Sequence, residues 1–172
     1  MDDPPRYQPL RALPERAYVP GRNERSADHG QSASPAAFKL GAERWAENEQ
    51  YLWGVDLYNN GFFWEAHEAW ESLWRAAAHD VVQHAFLQAL ILCAAACLKG
   101  VQHDREAAKR VAARALQRLE HVQSEHSGSY MGIDLGHFRS SFCDFIDRDP
   151  TAVAGRPQIV LIAQDSKPTV GC

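Results

Sequence analysis

LYNNGFFWEAHEAWESLWR, residues 57–75, reads as the end of one helix, a glycine turn and most of a second helix. Asn59, Asn60 and Gly61 are the residue types that tolerate positive φ, so they end a helix without strain. After the turn, Phe63, Ala66, Trp70, Leu73, Trp74 and Ala77 recur at helical spacing and form one apolar arc. A helical pair joined by so short a turn is antiparallel, and this pair sets the fold class.

Going outward, the preceding helix is expected over Leu40–Asn59, carrying Trp45, Leu52, Trp53, Val55 and Leu57. Across the turn, Trp53, Gly54, Leu57, Gly61, Ala66, Trp70 and Leu73 fall at offsets that resemble a tetratricopeptide helix pair. Small residues there let two helices approach while large ones interlock. The second helix is expected from about Phe62 to Ala78 and the third from Val81 to Gly100, capped by Asp80. A fourth follows Asp104 to about Gln123, and a fifth covers Leu135–Arg148; SEHSGSYMG, residues 124–132, is expected as a loop. Ala108, Ala112 and Ala115 suggest a weaker second copy of the hairpin. Two copies fall short of the three or so that a free solenoid needs, so a closed bundle is expected. The fold class is all-α, a compact bundle of about five helices built from antiparallel, tetratricopeptide-like hairpins. Residues 1–39 are expected as an extended and flexible arm, 40–149 as the bundle domain, and 150–172 as an extended strap and tail. Within the arm, a fixed proline-bearing segment precedes a flexible linker.

Composition narrows the function classes. The chain has 172 residues, 18 Lys and Arg against 22 Asp and Glu, and a net charge of −4. That balance argues against a protein that coats nucleic acid, which needs a basic excess to displace counterions. The longest apolar run, AFLQALILCAAACL at 85–98, is shorter than the roughly 20 residues that cross a bilayer and is expected as a buried central helix. No membrane partner is expected. Cys93, Cys97, Cys143 and Cys172 have no framework spacing, and the chain opens without a basic and then apolar leader, so a cytoplasmic location with reduced thiols is expected. Cys93 and Cys97 are expected as small core residues. Arg105, Lys109, Arg110, Arg114 and Arg118 form a basic stripe on the fourth helix. It is offset by Glu106, Glu120 and Glu125 and is expected to be a solvated face.

The polar residues of FWEAHEAWESLW, residues 63–74, are the candidate site. At about 100° per residue, His67 lies on the edge of the apolar arc, Glu71 just beyond it, Glu68 further out and Glu65 on the far side. His67 and Glu71 are then i, i+4 neighbours. They form either a half-buried pair that pins the helix to its neighbours or the lining of a site. Glu65 is either solvated or a link to a neighbouring segment. His67-Glu68-x-x-Glu71 resembles the metalloprotease His-Glu-x-x-His pattern with glutamate for the second histidine, which weakens the zinc case. No cofactor is expected. A divalent metal, if held, would use His67, Glu71 and His84, with Asp56 or Gln88 as polar alternatives.

The chain also resembles the bacterial and archaeal domain-of-unknown-function family 309, on Leu57, Gly61, Phe63, Glu65, Ala66, His67, Glu68, Glu71, Leu73, Trp74 and Arg75. The likeness runs through Gln88–Ile91, Leu98–Gly100 and Arg105–Leu119, with Tyr18–Arg22 similar to that family's arm and PQIVLI to its strap. The resemblance implies a compact all-α fold in which His67, Glu68 and Glu71 are the signature polar residues, and it brings no established activity. Where related chains often carry proline-histidine-proline, this one has Asn23-Glu24-Arg25-Ser26. A site that needs that histidine is altered here or uses His29.

Two functions of different class follow. The first is a binding module in which Trp64, His67, Glu68, Glu71, Trp74 and Arg75 frame a polar pocket for a partner protein, a peptide or a small ligand. The second is a hydrolase-like enzyme with His67, Glu68 and Glu71 as candidate catalytic residues, metal-dependent or not. Five tryptophans and the apolar third helix are also compatible with a homodimer.

Overall fold

The computed structural model describes residues 4–24 and 40–162, so the 25–39 linker with His29 and the tail with Cys172 lie outside the described residues. Among these, a 3-10 helix, Ala42–Glu47, precedes α1 (Glu49–Asn59), α2 (Phe63–Ala76), α3 (Val81–Val101) and α4 (Arg105–Glu125). A two-residue hairpin, β1 (Ser129–Tyr130) with β2 (Ile133–Asp134), leads into α5 (Leu135–Arg148), and a short 3-10 turn, Val153–Gly155, follows. The described residues are all-α apart from that hairpin.

Each boundary has a local cause. Asp80 Oδ1 accepts from the amides of Val82 (3.1 Å) and Gln83 (2.9 Å), and Asp104 Oδ1 accepts from Ala107 N–H (2.9 Å), so α3 and α4 begin where a short carboxylate caps them. Gly61 turns the chain at φ +83 between α1 and α2. The expected single helix over Leu40–Asn59 is broken at Asn48. This residue leaves helical geometry, and its side chain accepts from Tyr51 N–H at 3.1 Å, capping α1 as a separate helix. The segment 124–132 is also more structured than a loop. Met131 and Gly132 both take positive φ in the tight turn of the hairpin, and Tyr51 Oη donates to Met131 O at 2.7 Å.

Successive helices pack side by side, with α3 between α2 and α4 and with α5 against α4. Phe86, Leu87, Leu90, Ala94 and Cys97 of α3 are fully enclosed. Opposite them, Ala108, Ala112 and Ala115 of α4 are also at 0 % exposure, and their small size lets the two axes approach closely. α3 has the length and composition to cross a membrane, and 61 % of that apolar window is buried inside the bundle. Between α1 and α2 the fit is tight. A Cβ built on Gly54 would stand 2.1 Å from Trp70 Nε1, and that indole donates to Tyr51 O at 3.2 Å.

α1 is buried at every position from Gln50 to Asn59, because the arm and the strap cover its outer side. Asp56, at 0 % exposure, accepts from the amides of Tyr7 and Gln8, both at 2.8 Å, and from Arg6 Nε at 3.1 Å. The Arg11 guanidinium lies 4.3 Å over the Trp53 ring. On the other flank, Asn59 bonds both ways to the backbone of Ile159 at 2.8 Å, and Arg156 donates to the carbonyls of Tyr58 and Asn59. Arm and strap meet where Leu161 N–H donates to Tyr7 Oη at 2.8 Å.

Candidate functional site

α2 lies with Phe63, Ala66, Trp70 and Leu73 in the core, and its remaining residues divide into two groups. Glu65 is 7 % exposed, and its Oε1 accepts from Tyr18 N–H at 2.8 Å. It is therefore a link to the arm and not a solvated residue. The arm's own loop is closed by Asn23, which accepts from Val19 N–H and donates to Ala17 O, both at 2.8 Å. Asn23 is the residue standing where the related pattern departs, and here it serves a turn.

The second group faces outward. His67 is stacked on Trp64, with ring centres 5.8 Å apart and planes at 24°, and Trp64 in turn meets the edge of Tyr18 at 5.2 Å. About two turns beyond His67 along α2, Trp74 stacks on His84 of α3 at 4.7 Å and 28°. Between these two stacks stand the carboxylates of Glu68 and Glu71. The expected His67–Glu71 pair is not what the side chains form. His67 Nδ1 is nearest Glu68 Oε1, at 3.5 Å without hydrogen-bond geometry, and Glu71 Oε1 accepts from Arg75 at 2.7 Å. The i, i+4 preference of glutamate is satisfied by the guanidinium, whose planar fork of N–H donors suits a carboxylate.

The ligand atoms of His67, Glu68 and Glu71 all lie within 4.8 Å of one another. Among the described residues His84 is outside that group and faces the Trp74 ring, and Asp56 bonds the arm. A histidine nitrogen with two carboxylates would suit zinc or manganese and would leave coordination positions open. Three donor atoms along this strip are enclosed without a hydrogen-bond partner among the described residues: the indole nitrogens of Trp64 and Trp74, and His67 Nδ1. Trp64, His67, Glu68, Glu71 and Trp74 are half-buried, and Arg75 is exposed. A groove of about 520 Å3 lies elsewhere, lined by residues such as Trp45, Asp80 and Tyr130, none of them an α2 candidate.

The cysteines of α3 are core groups. Burial raises the thiol of Cys93 well above its ordinary value and that of Cys97 to about 12, so neither supplies a nucleophile near neutral pH. Cys93, Cys97 and Cys143 are free thiols.

Comparison with known proteins gives one match, over most of α1, all of α2 and α3 and the start of α4. Residues 51–111 match the family model described as Domain of unknown function (DUF309), the family that the helix-turn-helix residues resemble. No curated protein and no solved structure matches the chain.

Proposed function

We propose that the segment 51–111, matched by the uncharacterised DUF309 family, serves as a binding module whose recognition face is the outward strip of α2. Trp64, His67, Glu68, Glu71, Trp74 and Arg75 frame that strip, and the partner is a peptide or helical segment of another protein, held by aromatic contact and paired charges. The observation that carries this reading is how the polar residues are used. Asp56, Asn59 and Glu65 each bond the arm or the strap, whereas among the described residues neither His67 nor Glu71 hydrogen-bonds to another element. A pinning role would require such a bond. The α1–α2 interlock at Gly54 and Trp70 supports a tetratricopeptide-like hairpin, an architecture whose stacked helices offer surfaces for partners. Free thiols at Cys93, Cys97 and Cys143 support a cytoplasmic location.

The test is a double variant, His67→Ala with Glu71→Gln, in otherwise intact, untagged protein. It is expected to melt within about 2 °C of the parent, because outward polar substitutions cost little. It is also expected to lose the proteins that the parent captures and that protect α2 from labelling in a footprint. A fall in melting temperature beyond about 5 °C, or capture unchanged, refutes the reading.

The mutual approach of His67, Glu68 and Glu71 favours a second reading, a hydrolase-like site in which Glu68 or Glu71 is the general base and His67 a ligand or acid partner. Metal analysis of untagged protein separates the two. Stoichiometric metal lost on His67→Ala supports the second reading, and its absence from the parent refutes the metal-dependent form.

A further inference from the structure

α4 turns two of its sides to the bundle. Ala108, Ala112, Ala115 and Leu119 are buried toward α3, while Arg105 and Glu120 pair with α5, at 2.8 Å to Asp149 and 3.2 Å to Arg139. Those pairs join the start of α4 to the end of α5 and the late part of α4 to the early part of α5, so the two helices run antiparallel. The same register sets Glu106 level with Arg148, and Arg110 and Arg114 level with Asp144 and Asp147. At about 100° per residue, Arg110, Ala113, Arg114 and Gln117 point away from α3, and all four are exposed. On α5 the rings of Phe138, Phe142 and Phe145 are buried, and Ser140, Asp144 and Asp147 on the opposite side are exposed.

Charge is divided between the two helices. Residues 107–119 hold Lys109, Arg110, Arg114 and Arg118 and no carboxylate, in a chain of net charge −4. Arg110, Arg114 and Arg118 stand four residues apart, a spacing at which like charges repel and weaken a helix. Among the described residues the ion pairs of α4 are those of Arg105 and Glu120, and neither belongs to this row. α5 carries the opposite sign. Asp147 Oδ2 lies 3.7 Å from Cys143 Sγ, and that thiol is raised by burial first and then by the carboxylates of Asp147 and Asp144. The outer face of the α4–α5 pair is therefore basic on one helix and acidic on the other, which is a self-complementary pattern. A two-fold axis parallel to both helices and running between them lays α4 of one copy along α5 of a second and leaves each residue at its own level. Arg110 and Arg114 then meet Asp144 and Asp147 of the second copy, Glu106 meets Arg148, and the same contacts recur across the axis.

We propose that this face is the interface of a homodimer, in which the exposed basic row of α4 is seated on the acidic side of α5 of a second copy. The small side chains of Ala113 and Ser140 let the two layers approach. A polyanion such as a nucleic acid would use the α4 row alone and would be opposed by Asp144 and Asp147 beside it, whereas a second copy uses both signs. The interface is separate from the α2 strip and stands or falls without it.

The full chain, kept reduced, is followed by sedimentation velocity at protein concentrations from about 5 µM to about 1 mM. A reversible dimer is expected, and it weakens as salt rises from about 0.15 M to about 1 M, where the screening length falls from about 8 Å to about 3 Å. Arg110→Glu with Arg114→Glu makes the α4 row acidic, and Asp144→Arg with Asp147→Arg makes the α5 side basic. Each double variant alone sets like charges across both halves of the interface. It is expected to dimerise at least about tenfold more weakly while melting within about 2 °C of the parent. Mixed in equal amounts, the two variants are expected to associate with each other as the parent does with itself, because acidic α4 meets basic α5 in one half and the parent pairing stands in the other. A parent that stays monomeric at the highest concentration, a dimer that neither variant weakens, or a mixture that stays monomeric overturns the proposal. Should a double variant lower the melting temperature by more than about 5 °C, Arg114→Glu and Asp144→Arg, alone and mixed, decide by the same criteria.

Discussion

Replacing Asp56 by alanine tests whether the arm is part of the fold or a dispensable extension. The carboxylate is fully enclosed and holds Tyr7 N–H, Gln8 N–H and Arg6 Nε at 2.8, 2.8 and 3.1 Å. Hydrogen bonds to a charged group contribute about 1.5–3 kcal/mol each, and breaking a buried pair by deleting one partner costs about 3–5 kcal/mol. The sum over three bonds, about 4.5–9 kcal/mol, overstates the cost, because the arm can detach and return its amides to water. Detachment also uncovers Trp53 and the outer side of α1, so the cost is set by the whole arm contact and is about 4 kcal/mol. For a chain of this size each kcal/mol shifts the melting temperature by about 2–4 °C, which gives a fall of about 8–16 °C. Hydrogen exchange at the Tyr7 and Gln8 amides reports the same event locally, with protection expected to vanish while the α3 amides stay protected. Arg6→Ala is the graded control. The Arg6 side chain is 26 % exposed, and its loss removes one bond to Asp56 and the bonds to Gln8 O and Arg11 O while leaving both arm amides satisfied. A fall of about 3–6 °C is expected there. An Asp56→Ala protein that melts within about 2 °C of the parent with both amides protected would show that the buried carboxylate does not hold the arm.

Gly54→Ala separates intrinsic propensity from packing. Alanine in a helix is favoured over glycine by about 0.5–1 kcal/mol, yet its Cβ would meet Trp70 Nε1 at 2.1 Å and displace an indole that is fully buried and bonded to Tyr51 O. Overpacking is expected to dominate, with a net loss of about 1–3 kcal/mol by chemical denaturation; a stabilised variant would refute the interlock. On the alkaline side, Cys97 ionises near 12 in the fold against an ordinary value near 9, and Cys93, Tyr51 and Tyr58 are also raised by burial. Groups raised in the folded state stabilise it fully below their unfolded values, and that contribution is lost as pH rises toward the folded ones. Stability is therefore expected to fall between pH 9 and about 12, and Cys97→Ala to flatten part of that slope; a constant denaturation midpoint across the window would refute the assignment.

Residues 57–75 carried most of the fold in advance, because a glycine turn between two arcs of period 3.6 admits one antiparallel arrangement. The caps at Asp80 and Asp104 were legible for the same local reason. The break at Asn48 was not, since Trp45 and Leu52 keep helical spacing across it and only the side-chain bond to Tyr51 N–H shows the stop. Nor was the α2 pairing. A helical wheel fixes which residues are neighbours, but His67 has Glu68 and Glu71 as neighbours alike, and Glu71 has Arg75 as well; the choice depends on rotamers and donor strength.

Asp56 and Asn59 on α1 and Glu65 on α2 are polar residues, yet each is buried. The cause lies in the segments without periodicity. An extended arm that joins no sheet brings backbone amides against the bundle, and each enclosed amide needs an acceptor. Tyr7, Gln8 and Tyr18 find theirs in Asp56 and Glu65, and Ile159 finds its own in Asn59. Buried acceptors on the helices are thus the complement of an unpaired strand elsewhere in the chain. Among the described residues, the backbone demands of arm and strap therefore account for Asp56, Asn59 and Glu65 and for neither His67 nor Glu71.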